Sequence, residues 1–219
     1  MVWYPARNCF PSMIITWHGE GCFRLQNGDV SVLIDPPRDE SGVSAPRFRP
    51  NLLVKTLTKW PNAYENEGAD FVVHGSGEYD VSSIVVRGFS LSEESGEHFF
   101  KTAYLMQWDS LSIGLLGHLS GQLPPHAKEN LEDIDVLIGP AGGDPFLSVD
   151  AMVTLVKQLN PKIFIPSFLA FPGLKRKTIS IKECAQKFNG GDTEEAEKFV
   201  FKKKDLADIK KTRLICLKG

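Results

Sequence analysis

The feature that most constrains what this chain can fold into is a change of hydrophobic period near its midpoint. Up to Leu116 the apolar residues come in short runs separated by turns: Met13 to Trp17, Gly21 to Gln26, Val30 to Ile34, Leu52 to Val54, Phe71 to Val73, Val81 to Val86, Ala103 to Trp108 and Leu111 to Leu116. Runs of this length read as β-strands. Asn27-Gly28-Asp29 lies between two of them and signals a hairpin, because Asn-Gly accepts the left-handed backbone of a tight primed turn. Asp109-Ser110 makes the turn between the last two runs.

Beyond Leu116 strand and helix alternate. Ile134 to Ile138 is a short apolar run ending at Gly139-Pro140, as a buried strand does. Ser148 caps a predicted helix that carries Val149, Met152, Val153, Val156 and Leu159 on one face and closes at Asn160-Pro161. Ile163 to Pro166 is the next strand. Ser180 and Glu183 form a capping box for a helix with Ile181, Cys184, Ala185 and Phe188 on one face, and Asn189-Gly190-Gly191 stops it. Strands over Lys198 to Phe201 and Arg213 to Leu217 complete the pattern. Hairpins followed by β-α units, with no linker-like stretch, predict a single α/β domain over residues 13–219. Residues 1–12 differ in pattern and read as an N-terminal extension.

Charge and cysteine usage narrow the functions. With 25 basic against 27 acidic side chains and a net charge of -2, the chain is not built to coat a polyanion. From Phe171 to Gly219 there are 13 Lys/Arg against 7 Asp/Glu, but a cluster such as Lys202-Lys203-Lys204 is expected to be a solvated face, so nucleic acid is not the expected partner. Cys9, Cys22, Cys184 and Cys216 are scattered, with neither a C-x-x-C pair nor a disulfide framework, as in a reducing compartment. No apolar run approaches the roughly 18 to 20 residues that span a bilayer, and Pro5, Arg7, Asn8 and Pro11 interrupt any signal-peptide core. A cytoplasmic protein without membrane contact is expected. Nothing in the sequence names a partner, and homo- or hetero-oligomers both stay open.

Several segments, in order, carry a family resemblance. Ile15-Thr16-Trp17-His18-Gly19-Glu20-Gly21-Cys22-Phe23-Arg24, followed by Val32-Leu33-Ile34-Asp35-Pro36, resembles the opening of the metallo-β-lactamase superfamily, in particular its small UlaG-like zinc-dependent hydrolases. Gly75-Ser76-Gly77-Glu78-Tyr79-Asp80-Val81 is similar to that family's Gly-Pro-Gly-Glu-Tyr-Glu-Val. Leu116-Gly117-His118-Leu119 stands where the family has Leu-Gly-Asp-Leu. Asp135-Val136-Leu137-Ile138-Gly139-Pro140-Ala141-Gly142-Gly143, Pro161 to Pro166 and Pro172-Gly173-Leu174-Lys175 match later family segments. The resemblance covers about Met13 to Phe188. It implies an α/β fold of the metallo-β-lactamase-like αβ/βα sandwich type, two mixed β-sheets flanked by helices.

The same resemblance implies that the metal ligands have been replaced. Active members carry T-H-x-H-x-D-H, whose imidazoles and carboxylate converge on one or two zinc ions and leave a position for water. Here the motif aligns with Thr56-Leu57-Thr58-Lys59-Trp60-Pro61-Asn62. Leu57 and Lys59 replace the first two histidines, while Pro61 and Asn62 replace the aspartate and the third histidine. Another family histidine falls at Glu93, the bridging aspartate becomes His118, and the last histidine aligns with Phe168. Leucine, proline and phenylalanine have no donor atom, and an ammonium repels a dication. Of the five histidines only His118 reaches a ligand position. His18 and His74 read as structural, His98 and His126 as exposed, and Asp35 as a carboxylate that holds loop amides.

These replacements predict a non-catalytic member, a pseudoenzyme with a binding, regulatory or scaffold role and no cofactor. The alternative is a hydrolase of phosphodiester, lactone or similar substrates with a rebuilt or single-zinc site drawn from His18, Lys59, Glu93 and His118.

Overall fold

A computed structural model of the chain describes residues 12–37, 41–60, 68–191 and 193–219. Its elements are β1 (Met13–Trp17), β2 (Phe23–Asn27), β3 (Val30–Ile34), β4 (Leu52–Lys55), β5 (Leu57–Lys59), β6 (Phe71–His74), β7 (Gly77–Val81), β8 (Ile84–Ser90), β9 (Phe99–Trp108), β10 (Leu111–Leu115), α1 (Pro125–Leu131), β11 (Val136–Pro140), α2 (Val149–Leu159), β12 (Ile163–Ser167), α3 (Ile181–Asn189), β13 (Glu194–Ala196), β14 (Lys198–Phe201) and β15 (Arg213–Leu217). They form two mixed sheets, as expected. The first runs β14-β1-β2-β3-β4-β6; the second runs β13-β15-β12-β11-β10-β9-β8-β7, with β5 pairing β9 off that path.

The alternation read from the sequence decides which faces meet. In β1 and β2 every second residue is buried, so Met13, Ile15, Trp17, Phe23 and Leu25 turn inward while their neighbours face outward. β11 and β12 are buried throughout, as strands covered on both faces must be. One apolar cluster joins the inner faces of both sheets and reaches α1, α2 and α3. β10, β11, β12 and β15 are parallel neighbours, so the segments after β10, β11 and β12 leave the second sheet at one edge. That edge is where open α/β sheets place their sites.

The differences from the sequence reading have local causes. The run expected over Val81 to Val86 is broken into β7 and β8 by Ser82 and Ser83, both with positive φ, which close a two-residue hairpin without the Asn-Gly that usually marks one. α1 was not expected because it follows Pro124 with Pro125 in its first turn and has no side-chain cap. In α2 the buried residues are Met152, Leu155, Val156 and Leu159, with Val153 only partly covered. The two predicted caps form: Ser148 accepts from the Ala151 amide, and Ser180 and Glu183 make a reciprocal capping box. Among the described residues no helix is long and apolar enough to cross a membrane. The proposed extension, apart from Ser12, lies outside the described residues.

Asp135, almost fully buried before β11, knits the opposite end of these parallel strands, where β10, β11 and β12 begin. Its Oδ2 accepts from the Ser112 amide at 2.9 Å and hydroxyl at 3.0 Å, and Lys203 Nζ donates to both of its oxygens, at 2.7 and 2.5 Å. Burial pushes the carboxyl up, but Lys203 and the Ser112 bonds outweigh it and hold Asp135 below its ordinary 3.8. A depressed native pKa contributes stability above the unfolded value, and that contribution disappears as pH falls through the native one. Asp135→Asn is therefore expected to cost about 2 kcal/mol at neutral pH, less than a fully buried pair because the Lys203 and Lys162 side chains remain 44% and 31% exposed. In chemical denaturation series the gap between wild type and variant should narrow as pH is lowered below about 4.

Candidate functional site

The site is built where the chain passes from one sheet to the other. Thr56 separates β4, in the first sheet, from β5, which pairs β9 in the second, and the Thr56 carbonyl accepts from the Thr102 amide at 2.9 Å. Asp35, just past β3 and with φ of 39°, brings a buried carboxylate to the same point. Its Oδ1 accepts from the Thr56 amide at 2.7 Å and its Oδ2 from the Thr56 hydroxyl at 2.5 Å. His118 Nδ1 lies 2.8 Å from Thr56 Oγ1 and 3.7 Å from Asp35 Oδ2. With the hydroxyl's single proton donated to Asp35, the bond between Thr56 and His118 has Nδ1–H donating to Oγ1, in the neutral ring or the imidazolium alike. Burial pushes the Asp35 carboxyl above its ordinary range; the nearby His118 and the Thr56 hydrogen bonds oppose that push.

Gly117 makes this approach possible. A Cβ built on it would stand 2.1 Å from Thr56 Oγ1, and its φ is +52°. Glycine alone gives both the backbone and the clearance.

Above His118 the pocket is aromatic. The Phe168 ring lies 5.1 Å from the His118 ring and 4.0 Å from Phe146, which is itself 5.7 Å from His118. Phe168 is 3% exposed and has φ of +60°, a strained conformation for a phenylalanine. Its backbone is held from three sides: its amide donates to the Glu20 carbonyl at 3.0 Å, and its carbonyl accepts from Thr178 Oγ1 at 2.7 Å and from Arg176 at 3.1 Å. Arg176 also pairs with Glu20 at 3.0 Å and lies 5.3 Å from the Phe146 ring centre, capping the cluster with a cation. A Cβ on Gly21 would meet the tip of the Phe168 ring at 2.8 Å, so the ring uses the space that this glycine leaves open.

Beside this pocket a second buried carboxylate, Glu94, organises the loop after His118. It accepts from the Ser120 amide and hydroxyl, each at 2.7 Å, from the Gly121 amide at 2.6 Å and from Lys101 Nζ at 3.2 Å. Burial alone would push the Glu94 carboxyl up, but these bonds hold it below the usual carboxylate range.

With this geometry in place, comparison with known proteins decides the family. The model of the β-lactamase superfamily domain matches residues 14–167. The chain belongs to the β-lactamase superfamily. No curated protein matches it in sequence. Among solved structures it is similar to a proposed Zn-dependent hydrolase of the metallo-β-lactamase superfamily from Thermotoga maritima, at 21% identity and a TM-score of 0.75 over 94% of this chain and 98% of that one. Igni18, a metallo hydrolase from Ignicoccus hospitalis KIN4/I, is 15% identical with a TM-score of 0.65 over 95% of this chain and 97% of that one. The metallo-β-lactamase fold protein YhfI from Bacillus subtilis is 9% identical with a TM-score of 0.57 over the same two shares. At these identities the likeness establishes the metallo-β-lactamase fold.

In this superfamily member the sequence-derived positions separate. His118 and Phe168 come together as described, next to Thr56. Leu57 is partly buried on β5, whereas Lys59 is exposed at its end and Glu93 is exposed in the short 3₁₀ turn Ser92–Glu94. The side chains of Lys59 and Glu93 make no hydrogen bond or ion pair among the described residues. Pro61 and Asn62 lie outside the described residues. His18 is half-buried just past β1; burial and, secondarily, Arg24 lower its pKa, and its Nε2 has no hydrogen-bond partner among the described residues. Zinc binding needs three protein donors converging on one point, and among the described residues no group of three His, Cys, Asp or Glu does so. The donors among the described residues do not fit the family's metal.

Sequence reasoning singled out Glu93 and missed Glu94, the carboxylate that turns inward. The only available signal was Ser120-Gly121, a turn whose free amides call for an anion, and that signal lies 26 residues away in sequence. Arg176 and Phe146 had no local signal.

If Gly117 is required by the approach of Thr56, then Gly117→Ala should cost about 3 kcal/mol, combining a steric clash with a strained φ. Gly143→Ala, at φ +81° but with nothing near the added methyl, should cost only about 1 kcal/mol. Urea unfolding of both variants checks the difference. Equal losses would remove the steric term.

Proposed function

We propose that this chain is a non-catalytic, UlaG-like member of the superfamily that serves as a cytoplasmic binding, regulatory or scaffold protein. The observation that carries the reading is the packing of Phe168 against His118 and Phe146 in the pocket where Asp35, Thr56 and His118 converge. Hydrolysis in this family draws its nucleophile and its Lewis acid from the metal, so a pocket lined by a phenyl ring in place of a donor supplies neither. A metal at His118 would need further donors beside it, and among the described residues no group of three His, Cys, Asp or Glu converges. Lys59 and Glu93, the other positions named from the sequence, stand exposed.

Fold persistence does not depend on a metal here. The apolar cluster joins both sheets, and at roughly 25 cal/mol per Å² of buried apolar surface it outweighs what one loop-held ion adds. The superfamily scaffold therefore survives the exchange of its ligands.

The test is elemental analysis of protein purified without an affinity tag or chelator, together with hydrolysis assays on phosphodiester and lactone panels. The expected result is substoichiometric zinc, manganese and iron and no turnover. About one or two metals per chain would overturn the reading. So would turnover that vanishes in His118→Ala, which would instead support a hydrolase with a rebuilt or single-metal site.

A further inference from the structure

The most distinctive unassigned feature lies at the opposite end of the parallel strands from His118. A cavity of about 310 Å³ opens between α2, α3, the start of β12 and the segment leading into β15. Its accessible apolar surface is Val153 and Phe188, both partly covered; Phe188 in turn stacks on the fully buried Phe164, with ring centres 4.8 Å apart and planes inclined by 26°. Its rim carries Lys157, Lys210 and Lys211, and no carboxylate lines it. Phe164 stands at the start of β12 and Phe168 just past its end, so roughly 13 Å of strand separates this cavity from the aromatic pocket.

Two observations indicate that the cavity is more than a packing gap. The periodicity of α2 places Val153 on the buried stripe, yet the structure leaves Val153 and Phe188 only partly covered, because both face this opening. The rim lysines also lack neutralising carboxylates, as do Lys59, Lys177 and Lys204 among the described residues, so the charge at the rim is uncompensated. Lys101, Lys162, Lys187, Lys203 and Lys218 each pair with a carboxylate, at 2.5 to 3.5 Å. Lys157, Lys210 and Lys211 have no such pairing among the described residues. Three like charges held around an apolar floor repel one another and favour an anion that brings its own apolar surface.

We infer that this cavity binds a small amphipathic anion: a compact apolar body that packs against Val153 and Phe188 and carries a sulfonate-, phosphate- or carboxylate-type group to Lys157, Lys210 and Lys211. The volume suits a compact ligand, at the low end of small-molecule sites. A bare anion would gain only screened contacts with exposed ammonium groups, and a neutral arene would leave the three charges uncompensated. The combination is what the site selects. It does not rest on the metal question, since none of its residues belongs to the pocket around His118.

The test uses the full chain and three probes: 1-naphthalenesulfonate, 1-naphthalenemethanol as the same ring system without charge, and methanesulfonate as the charge without the ring. Amide chemical-shift titration should show saturable binding of 1-naphthalenesulfonate, with shifts confined to residues near Phe164, Phe188, Lys210 and Leu214. Each of the other probes should bind at least about tenfold more weakly, as should 1-naphthalenesulfonate to a Lys210→Glu/Lys211→Glu variant at low salt. A Lys177→Glu/Lys204→Glu variant, which changes exposed charges outside the cavity, should bind as wild type does. Val153→Trp, which fills the opening, should abolish binding. Shifts centred on His118, equal binding of the neutral probe, or indifference to Lys210 and Lys211 would each overturn the proposal.

Discussion

The buried carboxylate of Asp35 is the constraint around which the rest of the molecule is arranged. It lies at the end of β3 with a left-handed backbone and holds both the amide and the hydroxyl of Thr56. Thr56 is the residue at which the chain steps from the first sheet to the second. The same hydroxyl meets His118, whose loop can approach only because residue 117 is glycine. A charge-bearing group taken out of water must be satisfied by hydrogen bonds, and these bonds tie together β3, the β4–β5 step and the loop after β10. Tyr104 adds a second stitch across the sheets, its hydroxyl donating to the Lys55 carbonyl at 3.0 Å.

From that fixed point the site follows. The strands β10, β11 and β12 end at one edge, so the segments carrying His118, Phe146 and Phe168 converge there whatever their chemistry. In the superfamily this convergence serves to gather metal ligands; here it gathers rings, and Arg176 covers them while pairing with Glu20. The proposal of a non-catalytic role rests on that exchange of donor atoms for aromatic surface. The cationic cavity at the other end of β12 draws on the same scaffold differently, using the helix stripe that the core leaves partly open.

Local patterns in the sequence carried the elements whose causes are local. The hairpin at Asn27-Gly28, the caps Ser148 and Ser180 with Glu183, and the strands Lys198–Phe201 and Arg213–Leu217 each depend on neighbours within a few residues, and each forms where the sequence places it. Ser82-Ser83 and Pro124-Pro125 escaped notice because positive φ in serine and a helix start without a cap leave no signature. The site was legible only through family spacing. That spacing located His118 and Phe168 but not their company: Thr56 to His118 spans 62 residues and Arg176 to Glu20 spans 156. It also stopped one residue short at Glu93, because which of two adjacent glutamates turns inward is decided by the amides of Ser120 and Gly121.

The central claim, that aromatic packing has taken the place of the metal, is tested most directly by anomalous diffraction at the zinc absorption edge from crystals of the full chain grown with excess zinc. The account predicts no anomalous peak within bonding reach of His118, about 2 Å, and a Phe168 ring still stacked on Phe146. A peak ligated by His118, with the Phe168 ring displaced to admit it, would contradict the account.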